Sequence, residues 1–398
     1  MTGPLAGIRV LELGALVAAP LCATLLADQG AGVIKVEAPG AGDLFRHVGS
    51  NRGGMSGTFH LLNRGKRSLA LSLSDPRGVA LFRELALRAD VLVQNLRPGV
   101  VDRIGVGSEA LCAANPRLVY VSLSGFGQTG PYAGKRVYDN VIQTYAGVAD
   151  AQASPETGEP EFIRQLFCDK LTAWAAAQAA CAALVGRAQS GRGQRIELAM
   201  LDAAIAFLWP DRASDLILLG DGIARQPAIG RDFRLTRLAD GFGSATPFAD
   251  AEFEGLCRAL GLPEVAADPK LATVASRMQH LAYLGEVIRE RIAPAAGKLT
   301  RAEFERRLAA EDVPHGIVRR LDELHEDPQV RANRSFAERE HPQAGRLREP
   351  RHAALFLGTP LGEPAPAPAL GQHSDAILGE LGVGAARIAE LRAAGVVG

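Results

Sequence analysis

Ile8-Arg9-Val10-Leu11-Glu12-Leu13-Gly14, followed by Pro20-Leu21-Cys22-Ala23-Thr24-Leu25-Leu26-Ala27-Asp28-Gln29-Gly30 and by Gly32-Val33-Ile34-Lys35-Val36-Glu37, decides the fold. The first run is short, apolar and stopped by glycine, as a buried strand is. In the second, Pro20 stands where a helix can begin and Gly30 where one ends. The third is a further strand. Strand, helix, strand in about thirty residues is a β-α-β unit, which opens a parallel sheet. Ligands of such sheets bind beyond the carboxyl ends of the strands. That rule places Leu16, Val17 and Ala18 near a ligand.

The alternation continues outward from this unit. Leu69 to Leu73 reads as a strand, Asp75-Pro76 opens a helix to about Arg88, and Asp90 to Asn95 is a strand followed by Leu96-Arg97-Pro98-Gly99 and a helix holding Arg103. Leu118 to Leu123 is another strand. The fold class is therefore α/β, with a mostly parallel sheet. Gly125-Phe126-Gly127-Gln128-Thr129-Gly130 matches a dinucleotide fingerprint, but Pro131 breaks the helix that should receive a pyrophosphate. The motif reads as a turn, and neither nicotinamide nor flavin is expected.

The segment from Arg136-Val137-Tyr138-Asp139 to Phe167-Cys168-Asp169-Lys170 concentrates the chemistry. It holds two carboxylates, Asp139 and Asp169. Asp169 precedes the Ala-rich run Leu171 to Ala180, so it lies at or beside a helix N-terminus. Two readings of Asp169 stand at this point. It is either a cap accepting a backbone N–H or a carboxylate poised for reaction at an anion-favouring site.

Beyond Ser190-Gly191-Arg192-Gly193, the segment Gln194 to Met200 enters a strand or the next helix, and Leu201 to Phe207 is helical. The alanines of the long helix permit close packing and suggest a subunit interface as well. From about residue 225 the texture changes. Phe233 to Phe248 reads as strand and turn, and helices follow at Ala251–Leu260, Ser276–Ile292 and Thr300–Glu311, the last started by the capping box Thr300-Arg301-Ala302-Glu303. Glu349 to Leu370 is an extended proline-rich arm, and helices return at Ala376–Leu381 and Ala385–Ala394. The expected division is a large domain over 1–220, a smaller α+β domain over 225–330, and a linker with helices over 331–398 that returns to the large domain.

Composition narrows the function. The 398 residues carry equal numbers of acidic and basic side chains, 44 of each, which argues against a nucleic-acid or membrane-coating surface. The five cysteines are scattered without zinc-ligand spacing, so no metal is expected and the thiols read as reduced. The N-terminus lacks the pattern of a signal peptide and no apolar run reaches bilayer length. The expected location is the cytoplasm.

Several segments together resemble a known family. Gly32–Glu37, Asn63-Arg64-Gly65-Lys66-Arg67-Ser68, Asn95-Leu96-Arg97-Pro98-Gly99, Ser190-Gly191-Arg192-Gly193-Gln194 and Gly371-Gln372-His373-Ser374-Asp375 are similar to class III CoA-transferases, the formyl-CoA transferase or CaiB/BaiF type. The resemblance runs from Pro4 to Leu391. It implies a Rossmann-like large domain, a small domain and an interlocked homodimer whose linkers thread through the partner. It implies coenzyme A and acyl-CoA as substrates, a carboxylic acid as acceptor, and Asp169 as covalent nucleophile, with Tyr138 and Asp139 shaping the site. Coenzyme A contacts carried over from the family fall on Val17 and Ala18, on Leu71, Ser72, Leu73 and Ser74, on Asn95, Leu96 and Arg97, on Arg103, and on Arg136, Val137, Tyr138 and Asp139. Arg97, Arg103 and Arg136 suit the phosphates, whose oxygens match guanidinium forks.

The chain departs from that pattern in two places. Ala38 stands where family members carry an arginine, leaving Arg46 as a substitute on the adenine side. The glycine loop of formyl-CoA transferase has no counterpart between about Gly220 and Phe248, which leaves the acyl group open. The α-methylacyl-CoA racemases of the same fold place a histidine where this chain has Tyr138. A phenol ionising at about pH 10 is a poor general base near neutral pH, so transfer is favoured over racemisation.

Overall fold

The computed structural model describes residues 2–213, 215–225, 230 and 233–398. The opening unit forms as strand β1 (Arg9–Leu13), helix α1 (Ala18–Asp28) and strand β2 (Gly32–Glu37). Helix α1 starts two residues ahead of Pro20. Proline in a first turn costs no hydrogen bond, because that N–H has no partner there anyway. Strand β3 (Lys66–Ala70) ends earlier than the predicted Leu73. From Leu71 the chain turns to pair with the tail: Leu71 bridges Val397, and Ser72 N–H donates to Val396 O at 2.9 Å.

Helix α2 (Pro76–Arg88) is capped by Asp75, whose side chain accepts Arg77 N–H at 2.8 Å. Then come β4 (Val91–Gln94), β5 (Val119–Ser124), α3 (Asp139–Tyr145), α4 (Phe167–Ser190), β6 (Arg195–Ala199) and α5 (Met200–Arg212). Gln194–Met200, open in sequence between strand and helix, is mostly strand. The six strands lie in the order β3-β2-β1-β4-β5-β6, every pair parallel. Strands added outward in both directions from β1 give the doubly wound arrangement, with a crevice where the order reverses, between β1 and β4.

Each face of the sheet is covered differently. On one, α1 and α4 meet through small side chains: Ala19, Cys22 and Ala23 pack in one cluster with Ala173, Ala176, Ala177 and Ala180. The alanine stripe thus serves packing within the chain. On the other face, Phe82 and Leu85 of α2 share a core with Ile377, Leu378, Ile388 and Leu391 from the tail helices Ser374–Glu380 and Ala385–Ala393. Ile377 and Leu378 are wholly buried, each contributing roughly 1.5–3 kcal/mol of apolar burial.

A β-hairpin ahead of the arm was not foreseen. Phe336–His341 and Gly345–Pro350 form an antiparallel hairpin, so the extended arm starts after Pro350 and carries no regular element over 351–369. Arg64 anchors the hairpin, pairing with Asp28 at 2.8 Å and donating to Pro350 O at 2.8 Å. His60 reaches Glu349 at 2.6 Å.

The chain divides into two compact units, Met1–Ile229 with Arg334–Gly398, and Gly230–Asn333. The second unit holds a three-stranded antiparallel sheet of Thr236–Leu238, Gly241–Ala245 and His315–Ile317, with helices around it. Its Thr300 capping box is formed, each of Thr300 and Glu303 accepting the other's N–H. The predicted helix Ser276–Ile292 is instead broken into Val274–Gln279, Leu281–Val287 and a π-helical turn at Ile288–Ile292. The stretch from about Gly220 to Phe248, where the glycine loop of formyl-CoA transferase has no counterpart, includes residues 226–229 and 231–232, which lie outside the described residues. Among the described residues no helix is long and apolar enough to cross a membrane.

Candidate active site

The crevice between β1 and β4 is built by close backbone approach. Gly14 ends β1, and a Cβ there would stand 2.4 Å from Ala19 Cβ and 3.1 Å from Asn95 Oδ1. The absent side chain lets Asn95, just past β4, clamp the next residue: its Oδ1 accepts Ala15 N–H at 3.0 Å and its Nδ2 donates to Ala15 O at 2.9 Å. The loops after β1 and β4 are thereby held as one wall.

Asp169 sits in the first turn of α4, two residues inside the helix start at Phe167, and is not the cap. The cap comes from the neighbouring helix. Asp139, buried at the start of α3, accepts Asp169 N–H through Oδ2 at 2.9 Å. Its Oδ1 accepts Gln143 Nε2 at 2.6 Å, and Gln143 is fixed in turn by Ile163, donating to its carbonyl at 3.1 Å and accepting its N–H at 2.9 Å. A buried carboxylate with both oxygens bonded is rigid. It orients the first turn that carries Asp169.

The same arrangement sets the electrostatics. Burial, and after it the Asp139 carboxylate, push the Asp169 carboxyl up to about 7. Such a group is half ionised near neutral pH and poorly solvated, both useful in a nucleophile or general base. Burial, with Asp139 and Asp169 beside it, pushes the Cys168 thiol up to about 12, so Cys168 stays a thiol.

A cavity of about 490 Å³ opens beyond the carboxyl ends of β1, β4 and β5. Of the residues singled out in sequence, Leu16, Ala18, Asn95, Leu96, Arg97, Arg136, Val137, Tyr138 and Asp169 line it. Asp139 supports the cavity from behind without lining it. Val17 faces a separate cavity of about 770 Å³ that includes Trp174. Leu71, Ser72, Leu73 and Ser74, past the end of β3, and Arg103, in the short helix Val100–Arg103, lie outside the lining. Arg97, Arg103 and Arg136 are exposed and make no ion pair or side-chain hydrogen bond with the described residues. Their charges are available to a ligand.

One expectation changes. Arg46 does not replace the arginine missing at Ala38, because it is already committed: it pairs with Glu37 at 2.7 Å, donates to Pro368 O at 3.0 Å and covers the Phe59 ring. The fingerprint-like segment forms the expected turn, with positive φ at Gly127 (102°) and Gly130 (92°), and Gly125 makes room for the Val137 side chain, since a Cβ there would meet Val137 Cγ1 at 2.2 Å. Sequence reasoning also missed Ser124, Lys135 and Met200 in the lining. Ser124 and Met200 follow from the strand-end rule once β5 and β6 are placed, whereas Lys135 had no signal of its own. No histidine lines the cavity. Among the described residues no group of three or more His, Cys, Asp or Glu side chains could hold a metal ion.

A doubly wound sheet with a perturbed carboxylate and uncommitted guanidinium groups in one crevice is the equipment of an enzyme acting on an anionic substrate. The sequence profile of CoA-transferase family III matches residues 5–374. The chain is 33% identical over 391 residues to a succinate–glutarate CoA-transferase of Agrobacterium fabrum, covering 95% of this chain and 96% of that one. It is 34% identical to a succinyl-CoA–D-citramalate CoA-transferase of Chloroflexus aurantiacus, covering 95% and 94%. In three dimensions it is similar to a CAIB/BAIF family protein from Brucella suis, with a TM-score of 0.80, 31% identity, and coverage of 96% and 100%. The chain belongs to CoA-transferase family III and is an enzyme of that class.

Proposed function

We propose that this enzyme moves coenzyme A from an acyl-CoA donor of the succinyl-CoA type to a small dicarboxylic acid, through an aspartyl-CoA thioester on Asp169. The observation that carries the reading is the placement of Asp169, half-buried with its carboxyl pushed up to about 7, in one cavity with the uncommitted Arg97 and Arg136. The dicarboxylate acceptor is suggested by the substrates in the names of the Agrobacterium and Chloroflexus relatives.

The chemistry follows from these groups. An Asp169 oxygen attacks the thioester carbonyl, the C–S bond breaks and coenzyme A leaves as thiolate, giving a mixed anhydride. The thiolate then attacks the aspartyl carbonyl and releases the donor acid as carboxylate. The acceptor carboxylate reverses the two steps, taking coenzyme A and freeing Asp169. No proton is transferred to carbon, so no histidine is required. The positive end of α4 favours the anionic carboxylate, and the guanidinium groups of Arg97, Arg103 and Arg136 bind phosphate oxygens.

The test is chemical trapping. With succinyl-CoA present and acceptor absent, hydroxylamine is expected to convert Asp169 to a hydroxamate seen by peptide mass spectrometry, and Asp169→Ala is expected to abolish transfer. Retained transfer in that variant overturns the reading. The racemase alternative predicts α-proton exchange of a 2-methylacyl-CoA into deuterated water without an acceptor acid. The absence of a histidine from the cavity lining disfavours it.

The proposal extends to an interlocked homodimer working in the cytoplasm. Its support is the class III resemblance together with the exposed run Leu216, Ile217, Leu218 and Leu219, the last 89% accessible, an apolar surface that a partner would cover. Light scattering at twice the chain mass checks the dimer, and failure of tagged and untagged dimers to exchange subunits without denaturant checks the interlocking.

A further inference from the structure

Leu16 stands on the loop between β1 and α1 and lines the 490 Å³ cavity. Its backbone is left-handed, with φ of 67°. A residue with a Cβ is strained there, and a bulky one is an outlier that its surroundings must enforce. Those surroundings are visible. Leu16 N–H lies 3.2 Å from each oxygen of the Asp43 carboxylate.

Asp43 is itself immobile. It is 4% exposed and its Oδ1 also accepts Phe45 N–H at 3.0 Å. The wholly buried Lys35 ammonium donates to Asp43 Oδ2 at 3.0 Å, to Glu12 Oε1 at 2.8 Å and to Gly14 O at 3.0 Å, which uses all three of its N–H groups. Glu12 is shared with Lys66 at 2.7 Å. With Gly14 held by Lys35, Ala15 by Asn95 and Leu16 by Asp43, three successive backbone units of the loop are tied down. Asp43 does not line the cavity.

We infer that Asp43 is a positioning residue for acyl-CoA, holding Leu16 left-handed so that this wall of the cavity is formed before the ligand arrives. The inference rests on the reading of the cavity as an acyl-CoA site. Preorganisation of this kind lowers the cost of binding. The competing role for Asp43 is a plain counter-ion to Lys35, which would matter for stability and not for the ligand.

A double-mutant cycle on the full chain separates the two, because glycine adopts a left-handed backbone without being held. The variants are Asp43→Asn, Leu16→Gly and their combination, read by KM for succinyl-CoA, kcat at saturating acceptor, and Tm. Asp43→Asn alone is expected to raise KM at least fivefold with kcat within about threefold. In the Leu16→Gly background the same change is expected to move KM less than twofold while lowering Tm as much as before. An equal rise in KM in both backgrounds, or none in either, overturns the inference. If Asp43→Asn does not fold, Leu16→Ile and Leu16→Met read the contact from the other side: the β-branched residue is expected to raise KM at least fivefold over the unbranched one, and equal values overturn it. Wild-type protein that binds no acyl-CoA by calorimetry overturns the reading of the cavity, and the inference with it.

Discussion

As the proposed nucleophile, the Asp169 carboxyl meets two demands that pull against each other: ionisation, for attack, and poor solvation, for reactivity. Burial and the Asp139 charge place it at about 7, so the rate is expected to follow its ionisation. In the free enzyme kcat/KM should rise with pH along a limb centred near 7. Removing the Asp139 charge by Asp139→Asn removes the second cause of the upward shift, so the limb should move to lower pH while overall activity falls with the loss of one of the two bonds that Asp139 accepts. Stability carries the opposite sign. The folded-state value lies above the unfolded one of about 3.9, so the unfolded chain gives up this proton first, and the ionised carboxylate costs folding free energy as pH rises from about 4 to 7. Asp169→Asn is therefore expected to stabilise the protein at pH 8 by on the order of 1 kcal/mol, discounted because the residue is only half-buried. It should do little at pH 4, and urea unfolding at both pH values measures the difference.

At the scale of elements, the site depends on how loops and helix ends approach one another. Gly125→Ala would drive a methyl group to 2.2 Å from Val137 Cγ1, displacing the segment that carries Arg136 and Tyr138. A loss of at least tenfold in kcat/KM for acyl-CoA is expected, with roughly 1–3 kcal/mol of stability, checked by kinetics and denaturant titration. The same contrast between local and distant causes explains what the sequence made legible. The opening β-α-β unit, the Asp75 cap and the Thr300 capping box were readable because their determinants lie within a few residues of one another. Asp169 was readable as a residue at a helix N-terminus, but not its cap, since Asp139 lies thirty positions upstream and reaches it only through the packing of α3 on α4. Arg46 looked available because sequence does not show that Glu37, Phe59 and Pro368 converge on it. The early end of β3 was hidden for the same reason: its competitor for hydrogen bonds, Val396, is more than three hundred residues away.

At the scale of the molecule, the tail completes the core of the large unit. Ile377 is wholly buried against the sheet, so Ile377→Ala is expected to cost about 2–5 kcal/mol while KM for acyl-CoA changes less than twofold, because the residue is not part of the cavity lining. Equilibrium unfolding and steady-state kinetics on one preparation check both halves of that statement. Other ties reinforce the closure: His373 N–H donates to Ser68 O at 3.0 Å, and Ala70 N–H to Ser374 Oγ at 3.2 Å. These contacts have a consequence for biosynthesis. As the chain leaves the ribosome, β1, β2 and β3 are made early, yet one side of their sheet has no complete cover until Ser374–Val397 emerges. Throughout that interval the cluster of Leu69, Leu71 and Phe82 lacks the part of its cover that the tail supplies, and the closing step must span a loop of about three hundred residues, which slows folding and exposes the nascent protein to aggregation. A cell making this enzyme has to shield a half-covered sheet for most of the time it takes to translate it.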